Sequence, residues 1–387
     1  MIRLLELFGG IGACTKALKK LGVEHKVVDY VEIDKYAVKS YNAINGTNFK
    51  PQDICKWNKD IEIDLIMHGS PCQDFSIAGK QAGGDKGSET RSSLMYETIR
   101  IISKLKPKYV IWENVKNLLS KKHIHNFNNY LDTMDQLGYK SFYQVLNAKD
   151  YGIPQNRERV FVVSIKNEIV GAAMRGRYGK DGQIEQQIEI SDREIVNTIT
   201  TVQKDCLVCE KGVTSFEFPQ KQELKLRLKD ILEDKVDEKY YLSDDIAKKF
   251  IASKENKNSN VIGSLHMDKW LESTKRVYDT NSYAPTINTY QGGNLQPKII
   301  DDTYGFDNRQ PRIYNNCPTI RAGRQGLKVL ENIRIRKLTP KECWRLMGFD
   351  DSDFEKAEKV NSNSQLYKQA GNSIVVNVLE SIFKKLL

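Results

Sequence analysis

Residues 2–22 read "IRLLELFGGIGACTKALKKLG", and this stretch decides the fold class. Its first part, "IRLLELF", is dense in apolar residues and reads as a buried strand. The part from Gly12 to Leu21 has the spacing of a helix. A glycine-rich turn, "FGGIG", joins them, so the chain opens as a strand–turn–helix unit. Working outward, the same alternation continues for about 165 residues. "KVVDYVE" (26–32) reads as a strand and Lys35 to Ala43 as a helix. "IDLIMHG" (63–69) is a strand, Ser92 to Leu105 a helix, "KYVIWEN" (108–114) a strand and Asn126 to Leu137 a helix. "YQVLNA" (143–148) and "RVFVVSI" (159–165) are further strands. Such alternation predicts an α/β fold with a mainly parallel sheet and helices on both faces. Ligands of such sheets lie beyond the carboxyl ends of the strands, so the chemistry is expected just after each apolar run.

From about residue 167 to 333 this pattern breaks. Glycine, asparagine, glutamine and basic residues rise. One charged stretch, roughly Leu224 to Phe250, reads as helical. "RVYDTNSYAPTINTYQGG" from Arg276 is echoed by "RIYNNCPTIRAGRQG" from Arg312, with a fainter copy, "REIVNTITTVQKD", from Arg193. We read these as short β units ending in polar loops. Regular structure returns after 334. "LTPKECWRLMG" predicts a helix with Thr339 as N-cap, Pro340 in the first turn and Gly348 past the end. A last helix is expected from about Ser373 to Lys385. The predicted division is therefore 1–166, 167–333 and 334–387.

The chain has 387 residues, 40% of them hydrophobic, which suits a sizeable core and two domains. Its 60 Lys and Arg against 50 Asp and Glu give a net charge of +10, which favours an anionic partner. Arg3 and Glu6 interrupt the first apolar run, so no signal peptide is read. No stretch reaches the roughly 20 apolar residues of a membrane span. The seven cysteines, an odd number, then fit reduced thiols in a cytoplasmic protein. Cys206 and Cys209 form a lone pair without partners of zinc-site spacing, and no metal is expected.

The strand ends carry a consistent set of groups. The glycine turn lets a ligand approach the backbone next to a helix N-terminus. Glu32 ends the second strand, where a carboxylate can accept both hydroxyls of a ribose. Asp53-Ile54 follows, and an aspartate there can accept from an adenine amine. Together these predict an adenosine-containing cofactor. Cys72, in "HGSPCQDFS" (68–76), follows the third strand as a candidate nucleophile. A free thiol has a pKa of about 8.5, so it needs nearby positive charge to ionise at neutral pH. "QNRERV" (155–160) supplies Arg157 and Arg159. Glu113, at the end of the fourth strand, is a carboxyl that burial would keep protonated near neutrality.

This ordered set resembles the DNA (cytosine-5)-methyltransferases. "FGGIG" is similar to the family's cofactor loop, "PCQ" to its nucleophile motif, "ENV" (113–115) to its carboxylate motif and "QNRER" to its Gln-x-Arg-x-Arg motif. "RKLTPKECWRLMGF" (336–349) and "QAGNSIVVNV" (369–378) are similar to its two C-terminal motifs. The resemblance covers about 1–166 and 334–387. It implies a Rossmann-like methyltransferase domain, with a smaller, irregular, β-rich target-recognition domain between. It also implies S-adenosylmethionine as donor and S-adenosylhomocysteine as product. By similarity, Phe8, Gly10, Ile11 and Gly12 line the donor, Glu32 holds its ribose and Ile33 packs on the adenine, where relatives often carry an aromatic. Asp53 and Ile54 read the adenine edge, and Gly69, Pro71, Leu94, Asn372 and Ser373 complete the pocket.

The implied reaction is methylation of cytosine at C5 in double-stranded DNA. Cys72 adds to C6, Glu113 serves N3, Arg159 holds O2 and Arg157 helps fix the pocket. Gln73 and Asn114 position these groups. The target base must flip out of the duplex. The polar, glycine-rich stretch 76–93, with Gln81 and Arg91, reads as a lid over it. Base-reading candidates are Arg276, Tyr290, Gln291 and Asn294 in one echo, and Arg312, Arg321, Arg324 and Gln325 in the other. Thr286 and Thr319 are candidates for phosphate contacts. The expected state is a monomer, with a cognate restriction endonuclease the one protein partner suggested. Three rivals stay open: an RNA cytosine-5 methyltransferase on the same fold, a nicotinamide-dependent dehydrogenase and a catalytically silent DNA-binding regulator. The Cys-Phe-Thr tripeptide of the tRNA-directed relatives is absent. A dehydrogenase accounts for neither "PCQ" nor "QNRER".

Overall fold

The computed structural model describes residues 1–71, 94–178, 183–190, 207–211, 215–252, 260–265, 275–289, 296–300 and 334–387. Six strands form the main sheet: β1 (Ile2–Leu7), β2 (His25–Val31), β3 (Leu65–His68), β4 (Tyr109–Val115), β5 (Tyr139–Asn147) and β6 (Glu158–Lys166). Their order is β2-β1-β3-β4-β6-β5. The first four run parallel, while β6 is antiparallel to both of its neighbours. A parallel return needs a crossover of a dozen or more residues. Only residues 148–157 separate β5 from β6, so that pair closes as a hairpin.

Strand periodicity sorts the core into two layers. Leu4, Met67 and Ile111 face one side, with α1 (Ala13–Lys20) and the C-terminal helix Val376–Leu386. Leu5, Ile66 and Trp112 face the other, with α3 (Met95–Leu105) and α4 (Ile124–Gln136). Between them in sequence, α2 (Lys35–Asn45) is capped by Asp34, whose side chain accepts from the Tyr36 amide. β1 lies where the strand order reverses, between β2 and β3. The carboxyl ends of β1 to β4 therefore open onto one crevice.

Two smaller sheets follow. β7 (Glu168–Tyr178), β8 (Ile184–Ile190) and β9 (Leu207–Lys211) make an antiparallel sheet ordered β8-β7-β9. β10 (Phe250–Ala252), β11 (Val261–Leu265), β12 (Arg276–Tyr278), β13 (Lys298–Ile300) and β14 (Ile335–Lys337) make a five-stranded sheet in chain order. The second sheet thus takes its last strand from the beginning of the C-terminal segment.

The helix expected over Leu224–Phe250 does not form. That span holds two 3-10 turns, Leu228–Ile231 and Glu238–Tyr240, and one helical turn, Asp244–Ala247. Its backbone amides serve distant carbonyls instead: Leu228 donates to Ser282, Lys229 to Thr280 and Leu242 to Ile335. Those long-range bonds, with Leu228 and Ile231 buried in the main core, outweigh the helical propensity of a charged stretch. The predicted helix at Pro340–Arg345 does form. Thr339 Oγ1 accepts from the Glu342 amide, Glu342 returns to the Thr339 amide, and Gly348 adopts a φ of 83°.

The C-terminal segment is tied to the corner before β6. Arg157, 4% exposed, donates to the carbonyls of Ile287, Gly371 and Ser373. A methyl group on Gly371 would lie 2.3 Å from the carbonyl carbon and oxygen of Asn288. Gly371→Ala must therefore push residues 287–289 off their seat, and we expect it to lower stability by roughly 1–3 kcal/mol, the usual scale of overpacking. Thermal denaturation measures this, and an unchanged Tm would refute the close approach.

Candidate active site

The crevice is built from the four strand ends. After β1 the chain turns sharply. Phe8 takes a φ of 54°, and Gly10 and Gly12 have φ of 53° and 84°. A left-handed conformation is costly for phenylalanine and points to a constrained, functional turn. Beside Gly10 there is open space where a side chain would start. Gly12 directly precedes the first turn of α1, so the turn delivers its backbone to a helix N-terminus.

Glu32, after β2, accepts from the Gly10 amide at 3.1 Å and the Asp34 amide at 2.9 Å. Burial raises its carboxyl above the ordinary range, and the two amides pull it back only in part. Each oxygen keeps acceptor capacity, since a carboxylate offers about four lone-pair sites. The next residue, Ile33, is 70% exposed. An apolar side chain left open beside a carboxylate makes a mixed surface of the kind a nucleoside fits. Asp53 accepts from the Cys55 amide. The Ile54 side chain is buried in the core, so only its backbone can face a ligand. Leu94 stands at the N-cap of α3. Asn372 is exposed, while Ser373 is buried and turns its hydroxyl to its own neighbour, the Ile374 carbonyl.

The third and fourth strands bring Gly69 beside Glu113. A methyl group on Gly69 would sit 3.7 Å from Glu113 Oε2 and 3.6 Å from Ile374 Cδ1. Ser70 is fixed from β4. Trp112 Nε1 donates to its hydroxyl at 3.0 Å, and Asn114 Nδ2 reaches its carbonyl at 3.4 Å. Pro71 follows, half-buried. Glu113 is 9% exposed, and its Oε1 lies 3.1 Å from Arg159 Nε. This is an ion pair without an aligned hydrogen bond at Oε1. Burial pushes the Glu113 carboxyl up, and the charges of Arg159 and Arg157 oppose the push without cancelling it.

Arg157, expected as a rim cation that helps fix the pocket, is turned onto the backbone. Its guanidinium serves three backbone carbonyls, because a buried charge is held only where acceptors surround it. Arg276 is exposed on β12, opposite Ser264. The hydroxyl of Thr286, named as a phosphate contact, donates to the Asn156 carbonyl at 2.7 Å. Cys72, Gln73, Gln81, Arg91, Tyr290, Gln291, Asn294, Arg312, Thr319, Arg321, Arg324 and Gln325 lie outside the described residues, as does the stretch 76–93. Among the described residues no group of three acidic, histidine or cysteine side chains is placed to hold a metal ion. None of their helices is long and apolar enough to cross a membrane.

Sequence reasoning missed several supporting residues. Asp29, 3% exposed on β2, accepts from Trp57 Nε1, Gln52 Nε2 and Lys59 Nζ, and so anchors the loop that carries Asp53. Burial alone would raise its carboxyl, but these bonds hold it below the ordinary range. Arg100, on α3, donates to the carbonyls of Ile54 and Trp57 from the other side. Gln155 donates to the Leu346 carbonyl and accepts from the Ile287 amide. A charge inside the apolar run "KVVDYVE" was the available signal for Asp29, since a buried charge must be partnered.

Comparison with known proteins identifies the family. The family model of the C-5 cytosine-specific DNA methylases matches residues 2–387. The orphan methyltransferase M.SPBetaI of Bacillus phage SPbeta is 35% identical over 452 aligned residues, covering 100% of this chain and 97% of its own length. The type II methyltransferase M.HhaI of Haemophilus parahaemolyticus is 30% identical, covering 98% and 93%. Among solved structures, the S. pombe Dnmt2 methyltransferase superposes with a TM-score of 0.60 at 18% identity, covering 100% of this chain and 98% of its own. A putative DNA modification methyltransferase of an E. coli prophage superposes with a TM-score of 0.57 at 19% identity, covering 100% and 98%. Those two likenesses concern the fold. Matched along essentially its whole length, the chain belongs to the C-5 cytosine-specific DNA methylase family.

Proposed function

We propose that this chain methylates C5 of a cytosine flipped out of double-stranded DNA, at sites its middle region selects. The observation that carries the reading is the position of Glu113: a buried carboxyl beside Gly69, ion-paired to Arg159, at the same rim as Glu32. In this reading residues 1–166 and 334–387 form the catalytic part and 167–333 the target-recognition part.

The donor proposed is S-adenosylmethionine, which supplies an electrophilic methyl group when bound. The crevice fits it. The spare acceptors of Glu32 suit the ribose hydroxyls, exposed Ile33 suits the adenine face, and the open side of Gly10 suits the amino-acid end. Phe8, Ile11, Gly12, Asp53, Ile54, Gly69, Pro71, Leu94, Asn372 and Ser373 are proposed to complete that pocket.

Cytosine C5 is a poor nucleophile. The Cys72 thiolate adds to C6, and the C5–C6 electrons become enamine-like. Glu113 gives or shares a proton at N3, where negative charge would otherwise collect. Arg159 pairs with Glu113 and faces O2. C5 takes the methyl group as the methyl–sulfur bond of the donor breaks and S-adenosylhomocysteine is left. A base then takes the C5 proton, the C6–S bond breaks to release Cys72, and the N3 proton returns to Glu113. Unstacking the target costs a few kcal/mol. Arg276, Thr286 and the candidates between Tyr290 and Gln325, with Gln81 and Arg91, are proposed to contact DNA.

The test is transfer of labelled methyl from S-adenosylmethionine to duplex DNA and, in parallel, to tRNA. Label at C5 of cytosine in DNA, with tRNA unlabelled, supports the reading. Label in tRNA alone would shift it to RNA, and label in neither would overturn it.

A further inference from the structure

The glycine turn rests on two tyrosines that no part of the reaction uses. Tyr30 of β2 and Tyr41 of α2 are both fully buried, and they stack with centroids 3.9 Å apart at 25°. Phe49 closes the cluster from the side. A methyl group on Gly9 would lie 2.6 Å from Tyr30 Cε2, and one on Gly12 would lie 2.7 Å from Tyr41 Cε2. Gly9 and Gly12 are therefore required by the rings beneath them, whereas Gly10 is the residue that faces open space. The Tyr30 hydroxyl donates to the Gly10 carbonyl at 2.5 Å. The Gly10 amide, on the adjoining peptide, donates to Glu32. Gly10 is thus held from both sides, its carbonyl by Tyr30 and its amide by Glu32. A peptide is planar and trans, so a Gly10 carbonyl turned down to the rings turns the Ile11 N–H the opposite way.

We infer that Tyr30 is a positioning residue for the methyl donor, its hydroxyl locking the Gly10–Ile11 peptide so that the turn presents a fixed binding edge. The inference rests on the donor site proposed above. Tyr41 supports the stack from below: its hydroxyl lies 3.2 Å from Thr15 Oγ1, which bonds the buried carboxyl of Glu6 and links the rings to the first turn of α1. The hydroxyl of Tyr30 is the polar group of the stack that hydrogen-bonds the turn's backbone. Without it Gly10 regains backbone freedom, and the donor must restrict that freedom on binding.

Calorimetry on the full-length protein measures this with S-adenosylhomocysteine as the probe. Tyr30→Phe keeps the ring and its stack and removes the hydroxyl. We expect its dissociation constant to rise about five- to tenfold, the scale of one buried hydrogen bond. The KM for S-adenosylmethionine should rise in step, with kcat at saturating donor and the KM for DNA unchanged. Tyr139→Phe is the control: it removes an equally buried hydroxyl that donates to the Pro107 carbonyl at 2.7 Å, at the far edge strand β5. Its dissociation constant should match wild type. Unchanged affinity in Tyr30→Phe, or equal weakening in both variants, would overturn the positioning role while leaving the donor site standing. Failure of wild type to bind the probe at all would overturn both.

Discussion

Cys72→Ser is expected to lose methyl transfer by at least about 10³-fold, on the scale seen when an enzyme loses its attacking nucleophile. The reasoning is chemical. Only an ionised sulfur is nucleophilic enough to add to the C6 of a pyrimidine, and a serine hydroxyl is not ionised near neutral pH. The structure places what leads up to residue 72. Trp112 and Asn114 fix Ser70 to β4, and Pro71 stiffens the next step. The chain therefore leaves β3 with Gly69 beside Glu113. Serine is close in size to cysteine, so binding of duplex DNA and of S-adenosylhomocysteine should persist. A duplex with 5-fluorocytosine at the target gives the second measurement. With donor present, fluorine at C5 blocks the final proton removal, so wild type should stay bonded through Cys72 and the variant should leave no adduct. Equal label incorporation by the two proteins would remove the nucleophile assignment.

Glu113→Gln is expected to cost about 10²- to 10⁴-fold in kcat, the range of a lost general acid, with DNA binding retained. Glutamine keeps the shape of the side chain but has no acidic proton for N3. The sign of the pH effect follows from the raised carboxyl. Burial favours the protonated form, so that form persists above the usual carboxylate range and is lost as pH rises through the shifted value. Wild-type turnover should accordingly fall on the alkaline side, and the residual turnover of Glu113→Gln should lack that limb. Unchanged turnover in the variant would refute the proton role. The same substitution leaves Arg159 without its anionic partner, so some loss of stability should accompany it.

Local patterning fixed more of this protein than its length suggests. Apolar runs named all six strands of the main sheet, and the capping residues around Thr339 and Gly348 bounded a helix to within a residue or two. Those features depend on neighbours a few positions apart, which a sequence displays directly. The candidate site was legible for a related reason: in an α/β sheet, functional groups follow the strands, so Glu32, Gly69 and Glu113 could be placed without knowing how the strands pair. Position in the chain said less about roles that need a distant partner. The charged stretch 224–250 looked helical because its bonds to Ser282, Thr280 and Ile335 are invisible locally.

The sequence by itself thus determined the alternation, the rim on which the candidate groups sit and the residue types available there. Tertiary structure alone decided that β6 runs against its neighbours, that Arg157 spends its charge on three carbonyls and that two of the glycines in "FGGIG" answer to tyrosines 30 and 41. The physical reason is common to all three. Each is set by contacts between residues far apart along the chain, or by a loop too short to cross the sheet, and packing in a dense interior admits only one arrangement of them.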